Sequence, residues 1–94
     1  EVPAVYRAGA QVRNSLVADG CIIEGNVENS VLFRGVHVAR GANIKNSIIM
    51  QDGSIEEFVE LENVILDKDV TVRSHGRLIA PSQYPIVIGK NVTL

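Results

Sequence analysis

The chain repeats one phrase four times, at Asn14-Ser15-Leu16-Val17, Asn29-Ser30-Val31-Leu32, Asn46-Ser47-Ile48-Ile49 and Asn63-Val64-Ile65-Leu66. Each copy begins with asparagine, continues with serine or valine and ends with two aliphatic residues. The four asparagines lie 15, 17 and 17 positions apart. A repeat of this length is typical of solenoid proteins, so we expect each phrase to mark one coil.

A shorter period runs inside each coil, because aliphatic residues recur at intervals of four to six positions. They are Val12, Val17, Ile23, Val27, Leu32, Val38, Ile44, Ile49, Ile55, Leu61, Leu66 and Val72. Two positions before each of them stands a residue that is never Leu, Ile, aromatic or charged. The aliphatic row defines the frame, and this second row of small or slim residues supports it independently.

These two rows predict an all-β fold, a parallel β-solenoid of triangular cross-section. Because side chains alternate across a strand, the aliphatic residue and the small residue two positions earlier both point inward. Three short strands make one coil, and successive coils pair as parallel sheets. An α-helix is disfavoured because the aliphatic residues do not recur at i, i+3 and i+4. We expect the four asparagines to stack at one corner, where Asn tolerates left-handed backbone angles and stacked amides can bond to one another.

The length of 94 residues fits a single domain over residues 1–94. We expect about four coils, with regular coils over residues 2–72, an irregular loop at 73–85 and a terminal strand at 86–94. The loop is predicted because serine, glycine and proline interrupt the period there. The chain does not begin with methionine and its only methionine is Met50, so we expect a fragment of a larger protein that lacks an N-terminal domain.

Composition argues against several classes of function. A net charge of −2 with 4% aromatic residues gives no footprint for nucleic acid, and no apolar run approaches the ~20 residues of a membrane span. The single cysteine, Cys21, cannot form an internal disulfide and suits a reducing, cytoplasmic location. It and the two histidines, His37 and His75, lack metal-ligand spacing. We therefore predict no catalytic residue, no cofactor and no metal in this chain.

One outward-facing row is apolar. The residue just before each inward aliphatic should point away from the core, and in the four phrases it is Leu16, Val31, Ile48 or Ile65. A sheet face in water would carry polar residues at such positions. We therefore expect these residues to form an interface stripe that packs against another domain or subunit. The alternative is a set of scattered surface aliphatic residues without a partner.

Four basic residues, Lys68, Arg73, Arg77 and Lys90, lie toward the end of the chain. If the irregular loop folds back, these side chains converge. Converging Arg and Lys side chains hold phosphate or sulfate through charge-assisted hydrogen bonds. We take the four as candidate residues for binding a phosphate or sulfate group, and the alternative is that they are dispersed solubilising charges.

The two inward rows resemble those of the left-handed β-helix family, and the left-handed sense of the coil is implied by that resemblance alone. The segments Asn14-Ser-Leu-Val-Ala-Asp-Gly-Cys-Ile-Ile-Glu-Gly25, Asn29-Ser-Val-Leu-Phe-Arg-Gly35 and Asn46-Ser-Ile-Ile-Met-Gln51 are similar to the C-terminal domain of bacterial glucose-1-phosphate adenylyltransferase, the ADP-glucose pyrophosphorylase. The similarity extends over nearly the whole chain. The ending Tyr84-Pro-Ile-Val-Ile-Gly-Lys90 is more similar to the regulatory, poorly catalytic subunit than to the catalytic one.

This resemblance implies an assembly and allosteric role in glycogen biosynthesis. The parent enzyme makes ADP-glucose and pyrophosphate from ATP and glucose 1-phosphate with Mg²⁺, and its catalytic residues lie in an N-terminal nucleotidyltransferase domain. The β-helix domain supports a homo- or hetero-tetramer and helps to bind phosphorylated small-molecule effectors. In the family a lysine of a late Asp-Lys pair and a second lysine near the final strand hold the effector. Asp67-Lys68 and Lys90, the latter offset by one residue, match them.

Two other functions stay open on the sequence. Many hexapeptide-repeat acyltransferases place a general-base histidine at a trimer seam, and the outward-pointing His37 is the residue that such an enzyme would need. This alternative predicts acetyl-CoA binding and a trimer. A purely structural solenoid would instead show no response to phosphorylated sugars.

Overall fold

The computed structural model describes residues 2–94, so Glu1, which the single-domain prediction includes, lies outside the described residues. Within residues 2–94 the chain forms fifteen strands of two or three residues. They are β1 Val5–Tyr6, β2 Gln11–Arg13, β3 Leu16–Val17, β4 Ile22–Ile23, β5 Asn26–Glu28, β6 Val31–Leu32, β7 His37–Val38, β8 Asn43–Lys45, β9 Ile48–Ile49, β10 Ser54–Ile55, β11 Glu60–Glu62, β12 Val64–Leu66, β13 Thr71–Val72, β14 Arg77–Ile79 and β15 Ile86–Ile88. No helix in this part of the chain is long and apolar enough to cross a membrane.

Each strand pairs in parallel with the strand three positions later in the chain, which gives three five-stranded sheets. Sheet A contains β1, β4, β7, β10 and β13; sheet B contains β2, β5, β8, β11 and β14; sheet C contains β3, β6, β9, β12 and β15. The chain visits the sheets in the order A, B, C and passes three corners per coil, which we name the A–B, B–C and C–A corners. The fold is an all-β parallel β-solenoid of about four turns, which confirms the fold class predicted from the sequence.

Both rows that were predicted to face inward line the core. Every residue of the aliphatic row from Ile23 to Val72 is at most 2% exposed, and every residue of the small row from Cys21 to Val70 is buried. Val12 and Val17 are only partly buried because their strands, β2 and β3, lie at sheet edges and have a neighbouring coil on one side only. Each fully buried aliphatic side chain contributes about 1.5–3 kcal/mol of hydrophobic stabilisation.

Three serines of the small row form a hydrogen-bonded ladder through the solenoid. The hydroxyls of Ser15, Ser30 and Ser47 each donate to the carbonyl two residues earlier, at 2.8 Å. Each hydroxyl also accepts the backbone N–H of the equivalent residue in the next coil, at 3.0, 3.1 and 3.2 Å. The last donor in this ladder is the N–H of Val64. All three hydroxyls are therefore partnered, and those of Ser30 and Ser47 are buried. The sequence analysis treated these serines only as small residues.

The four repeated asparagines all lie at the B–C corner with positive φ angles of 48–58°, as predicted. The amide of Asn14 donates to the amide oxygen of Asn29, whereas Asn63 donates to the carbonyl of Ala80 at 2.7 Å. Within residues 2–94 an amide–amide bond joins only the first pair of this column. The corner is therefore shared by all four asparagines, but the amide ladder is partial.

The irregular segment is shorter than the predicted loop at 73–85. Residues 77–79 form β14, which pairs in register with β11, because Gly76 and Leu78 continue the small and aliphatic rows. The departure falls at residues 80–85, which shift the spacing between β12 and β15 to 22. The segment therefore adds five residues to the coil, and its Pro81 and Pro85 cannot donate ladder hydrogen bonds.

The predicted terminal strand at 86–94 is a strand followed by a turn and a single bridge. Residues 86–88 form β15, and Thr93 then makes an isolated parallel bridge to Thr71 in sheet A. The N–H of Leu94 donates to the carbonyl of Thr71 at 2.8 Å, which holds this last segment on the solenoid.

One coil is two residues shorter than the coils of 17 residues. Strand partners are 17 residues apart between β5 and β8 but 15 apart between β2 and β5. The missing residues belong to the A–B corner, where only Glu24 and Gly25 separate β4 from β5. A Cβ at Gly25 would lie 2.6 Å from the carbonyl oxygen of Ala42 and 2.8 Å from that of Ala39. Only glycine therefore fits at this short corner.

We expect Gly25→Ala to destabilise the domain by about 1–3 kcal/mol, because the added methyl group clashes with backbone carbonyls of the next coil. Gly89→Ala is the matched control, since nothing lies within 4 Å of a Cβ built at Gly89. Chemical denaturation of both variants measures the free energy of unfolding. Equal losses in the two variants would contradict this explanation of the short coil.

Candidate functional site

The outward residues of sheet C form one continuous apolar column. Leu16, Val31, Ile48 and Ile65 are register partners in successive coils, and Val87 extends the column into the last coil. Leu16 is 71% exposed and Val87 66% exposed, while the three residues between them are half-buried by their neighbours. We call these five residues the sheet C stripe. The sequence analysis missed Val87, although its place between two inward isoleucines was the available signal.

The outer face of sheet B is ionic, in contrast to sheet C. Arg13 lies 3.9 Å from Glu28, and Nε of Arg77 donates to Oε1 of Glu60 at 2.9 Å. Ile79 is an exposed apolar residue on sheet B, but the continuous apolar column lies on sheet C. Beside the stripe, Phe33 is 40% exposed and widens the apolar face at the C–A corner.

Lys68 and Lys90, two of the candidate effector residues, lie at the C–A corner in adjacent coils. Lys68 follows β12 and Lys90 follows β15, and both are exposed. The N–H of Asn91 donates to the carbonyl of Lys68 at 2.9 Å, which stacks one turn on the other. The structure thus brings these two lysines together at the edge of the sheet C stripe.

Arg73 and Arg77 lie elsewhere. Arg73 begins the A–B corner after β13, and its Nε donates to the carbonyl of Leu94 at 3.2 Å. Arg77 lies on the outer face of sheet B, where Glu60 is its partner. The four candidate residues do not converge, contrary to the sequence prediction, because the segment expected to fold back is a regular corner and strand.

His37 lies on the outer face of sheet A, as predicted, and is paired with a carboxylate. Its Nε2 lies 3.4 Å from Oε1 of Glu24, while Nη1 of Arg7 lies 3.4 Å from Oε2 of the same carboxylate. The hydrogen bond from His37 and the nearby charge of Arg7 lower the pKa of the Glu24 carboxyl. An imidazole and a guanidinium therefore hold one carboxylate ionised on this face.

Cys21 is a packed thiol of the core. Its Sγ lies 3.0 Å from the carbonyl oxygen of Phe33, and burial raises the pKa of the thiol. Among residues 2–94, no group of three metal-ligating side chains comes together.

An aromatic stack at the A–B corner was not foreseen. Phe58 adopts a positive φ of 58°, and its ring lies over Gly41, where it leaves no room for a side chain. The ring stacks on the imidazole of His75 with centroids 5.4 Å apart, and the guanidinium carbon of Arg40 lies 5.8 Å from its centroid. The spacing of 17 residues between positions 41, 58 and 75 was the signal available in the sequence.

Residues 3–79 match the family model described as GlmU-like, C-terminal hexapeptide. The chain is 46% identical over 92 residues to the glycogen biosynthesis protein GlgD of Bacillus subtilis, covering 98% of this chain and 27% of that protein. It is 45% identical over 67 residues to glucose-1-phosphate adenylyltransferase of Acetivibrio thermocellus, covering 71% and 16%. The same enzyme of Bacillus cereus is 35% identical over 83 residues, covering 88% and 22%. The chain thus spans between 16% and 27% of the length of these relatives.

A solved structure shares the fold. The crystal structure of a mutant perosamine N-acetyltransferase from Caulobacter crescentus, in complex with CoA and GDP-perosamine, has a TM-score of 0.75 with this chain. The superposition covers 96% of this chain and 49% of the acetyltransferase at 13% sequence identity. At this level of identity the likeness shows the fold alone.

We expect His37→Ala to raise the pKa of Glu24 toward its ordinary value, because the variant removes the hydrogen bond that contributes most to the lowering. A lowered carboxyl pKa stabilises the folded state above the ordinary pKa, and this contribution is lost as the pH falls through the lowered value. Carbon-detected NMR titration of the Glu24 carboxyl measures the change. His75→Ala is the control and should leave the pKa of Glu24 unaltered, so a shift of equal size in both variants would count against the His37–Glu24 pair.

Proposed function

Because the chain belongs to the GlmU-like C-terminal hexapeptide family and is a C-terminal β-helix domain of the kind found in glucose-1-phosphate adenylyltransferases and GlgD, we propose that it is the assembly and effector-binding domain of such a protein. The parent protein then acts in glycogen biosynthesis in the cytoplasm. The catalytic members of this family convert ATP and glucose 1-phosphate to ADP-glucose and pyrophosphate in an N-terminal domain that supplies the Mg²⁺ site.

The sheet C stripe is the main observation that supports this proposal. Its five aliphatic residues follow one another over four coil spacings, a length of about 19 Å at the usual distance between paired strands. Contiguous apolar surface of this kind marks an interaction site. Since the matched relatives are about 3.6 to 4.5 times as long as this chain, an N-terminal domain or a neighbouring subunit of a tetramer is the partner that fits.

The lysine pair supports an effector role. Lys68 and Lys90 present two cationic side chains from adjacent coils, and neither has an ion-pair partner within 4.0 Å among residues 2–94. Ammonium groups placed in this way bind phosphate oxygens as paired point charges. The pair follows directly on sheet C strands, so a ligand held there lies beside the interface stripe.

This proximity gives a physical route for allostery. An effector shifts an assembly only if it binds two packings of the subunits with different affinity. A ligand at the C–A corner would bind two packings with different affinity if the subunit or domain on the stripe borders this corner in only one of them. The match to GlgD, 46% identical over 98% of the chain against 35% over 88% for the Bacillus cereus adenylyltransferase, supports the regulatory subunit type.

An acyltransferase remains the second candidate, and the His37–Glu24 pair is the observation in its favour. A histidine oriented by a carboxylate is the arrangement that general-base catalysis uses. This alternative requires acetyl-CoA turnover that is lost in His37→Ala, whereas the assembly domain requires none.

We expect Lys68→Ala combined with Lys90→Ala, in the full-length protein, to weaken binding of hexose phosphates more than tenfold. Each charge-assisted hydrogen bond to phosphate contributes about 1.5–3 kcal/mol. Isothermal titration calorimetry measures the change. Lys45→Ala, which removes an exposed lysine from the outer face of sheet B, is the control. Unchanged affinity in the double variant would retire the effector assignment.

We expect Ile48→Lys, at the centre of the stripe, to disrupt the packing of this domain in the full-length protein, because it places a charge in a desolvated contact. Ser54→Lys is the control, since Ser54 is an outward residue at the matching position of sheet A. Light scattering after size exclusion measures the assembly, and circular dichroism checks the fold. Intact assembly in both variants would contradict the interface.

A further inference from the structure

Sheet B presents two columns of outward side chains, one on each side of its inward row. The residues of each column are register partners in five successive coils. One column consists of Gln11, Asn26, Asn43, Glu60 and Arg77. The other consists of Arg13, Glu28, Lys45, Glu62 and Ile79. The first four residues of this second column alternate between positive and negative charge, and we call these four the charged column.

The charged column is weakly paired within its own chain. Nη2 of Arg13 lies 3.9 Å from Oε1 of Glu28. Lys45 stands between Glu28 and Glu62 in the register, yet among residues 2–94 no carboxylate lies within 4.0 Å of its ammonium group. Glu62 likewise has no ion pair with any of these residues. The charged groups of Lys45 and Glu62 are therefore available to a partner outside the chain.

A column of alternating charge is complementary to a reversed copy of itself. A two-fold axis parallel to the strands, midway between the coils of Glu28 and Lys45, places sheet B of one chain face to face with sheet B of a second copy. Glu28 then lies opposite Lys45 of the second copy, and Arg13 lies opposite Glu62 of the second copy. Because a two-fold contact repeats every pair, four pairs of opposite charge form.

The other column also matches under this axis. Asn26 lies opposite Asn43 of the second copy, and Gln11 lies opposite Glu60. Nδ2 of Asn26 already donates to Oδ1 of Asn43 in its own chain at 2.8 Å, but a side-chain amide has two N–H donors and an oxygen that accepts two bonds. The amides therefore retain groups with which to bond across the contact.

The alternation fixes one alignment of the two copies. Moving the second copy by one coil spacing, about 4.8 Å, puts Glu28 opposite Glu28 and Arg13 opposite Lys45. The same shift in the other direction puts Lys45 opposite Lys45 and Glu28 opposite Glu62. Since like charges across a contact are costly, both neighbouring registers are disfavoured.

The size of the face sets the strength of the contact. The domain measures 32 × 23 × 23 Å, so one face is smaller than the roughly 800 Å² per partner that a stable interface buries. Complementary charge contributes more to the specificity of such a contact than to its affinity. Association through sheet B alone is therefore weak and sensitive to salt.

From these observations we infer that the outer face of sheet B is a docking surface for a second copy of this chain, with the two charged columns running in opposite directions. This contact uses a face other than the sheet C stripe. It neither requires the partner proposed for the stripe nor depends on the effector role of the lysine pair.

The test is carbodiimide coupling in the full-length protein, which joins a lysine amine to a contacting carboxylate as an amide with loss of water. Chains labelled with ¹⁵N are mixed with unlabelled chains and left to exchange, so that mass spectrometry separates links between chains from links within a chain. We expect Lys45 of one chain to be linked to Glu28 of another. The yield should fall at about 1 M salt, where the screening length is ~3 Å.

Charge reversal at the ends of the column tests the alignment and leaves Lys45 and Glu28 intact for the measurement. Arg13→Glu and Glu62→Arg should each lower the yield of the link between chains about tenfold, because like charges then face each other at both ends of the contact. The double variant Arg13→Glu with Glu62→Arg should restore the yield, since opposite charges face each other again. Arg40→Glu is the matched control, because Arg40 is as exposed as Arg13 but lies at the A–B corner.

Three results would overturn the inference. The first is a link between Lys45 and Glu28 that occurs only within one chain. The second is a link from Lys45 to a carboxylate outside these 94 residues, which would assign the face to another part of the full-length protein. The third is a double variant that couples no better than the single variants, which would refute the two-fold alignment. None of these results bears on the sheet C stripe, for which Ile48→Lys is the separate test.

Discussion

The stacking of each inward side chain on its equivalent in the next coil is the interaction on which the rest of the structure depends. In sheet A, Ile23, Val38, Ile55 and Val72 form one such column, and none of the four is more than 1% exposed. Strands of two or three residues do not hold a sheet by themselves, so burial between coils supplies their stability. The same columns fix the register, because a slip of one residue would turn every inward side chain to the outside.

This constraint explains how much of the fold was predictable. Interior positions admit only side chains of certain sizes, so the two inward rows can be recognised from the residues alone. The shared asparagine corner can be recognised in the same way, from the spacing of the asparagines. The serine ladder was not predicted, because a hydroxyl in a row of small residues does not reveal which backbone groups of the next coil it meets. Strand β14 was missed because the turn-forming residues around Ser74 and His75 suggested an interruption of the repeat. In the structure these residues form an ordinary corner.

The candidate site was harder to predict than the fold. Lys68 and Lys90 are 22 positions apart rather than 17, and their alignment depends on the extra residues at 80–85 that lie between them. Arg73 and Arg77 are nearer to Lys68 in sequence, yet each leads to a different face of the prism. Proximity along a solenoid chain is thus a poor guide to proximity in space, since four residues carry the chain from a corner into the next sheet. The outer faces of sheets B and C also differ, since ion pairs lie on sheet B and the apolar stripe runs along sheet C.

The extra residues at 80–85 also show where this architecture tolerates change in length. Ile79 still pairs with Glu62 and Ile86 still pairs with Val64, so the strands on either side of the insertion keep their partners. Length variation is absorbed at a vertex of the triangle and does not propagate into the walls. A reporter peptide spliced between Ser82 and Gln83 would accordingly project from the vertex, leaving the hydrocarbon interior and the neighbouring rungs undisturbed.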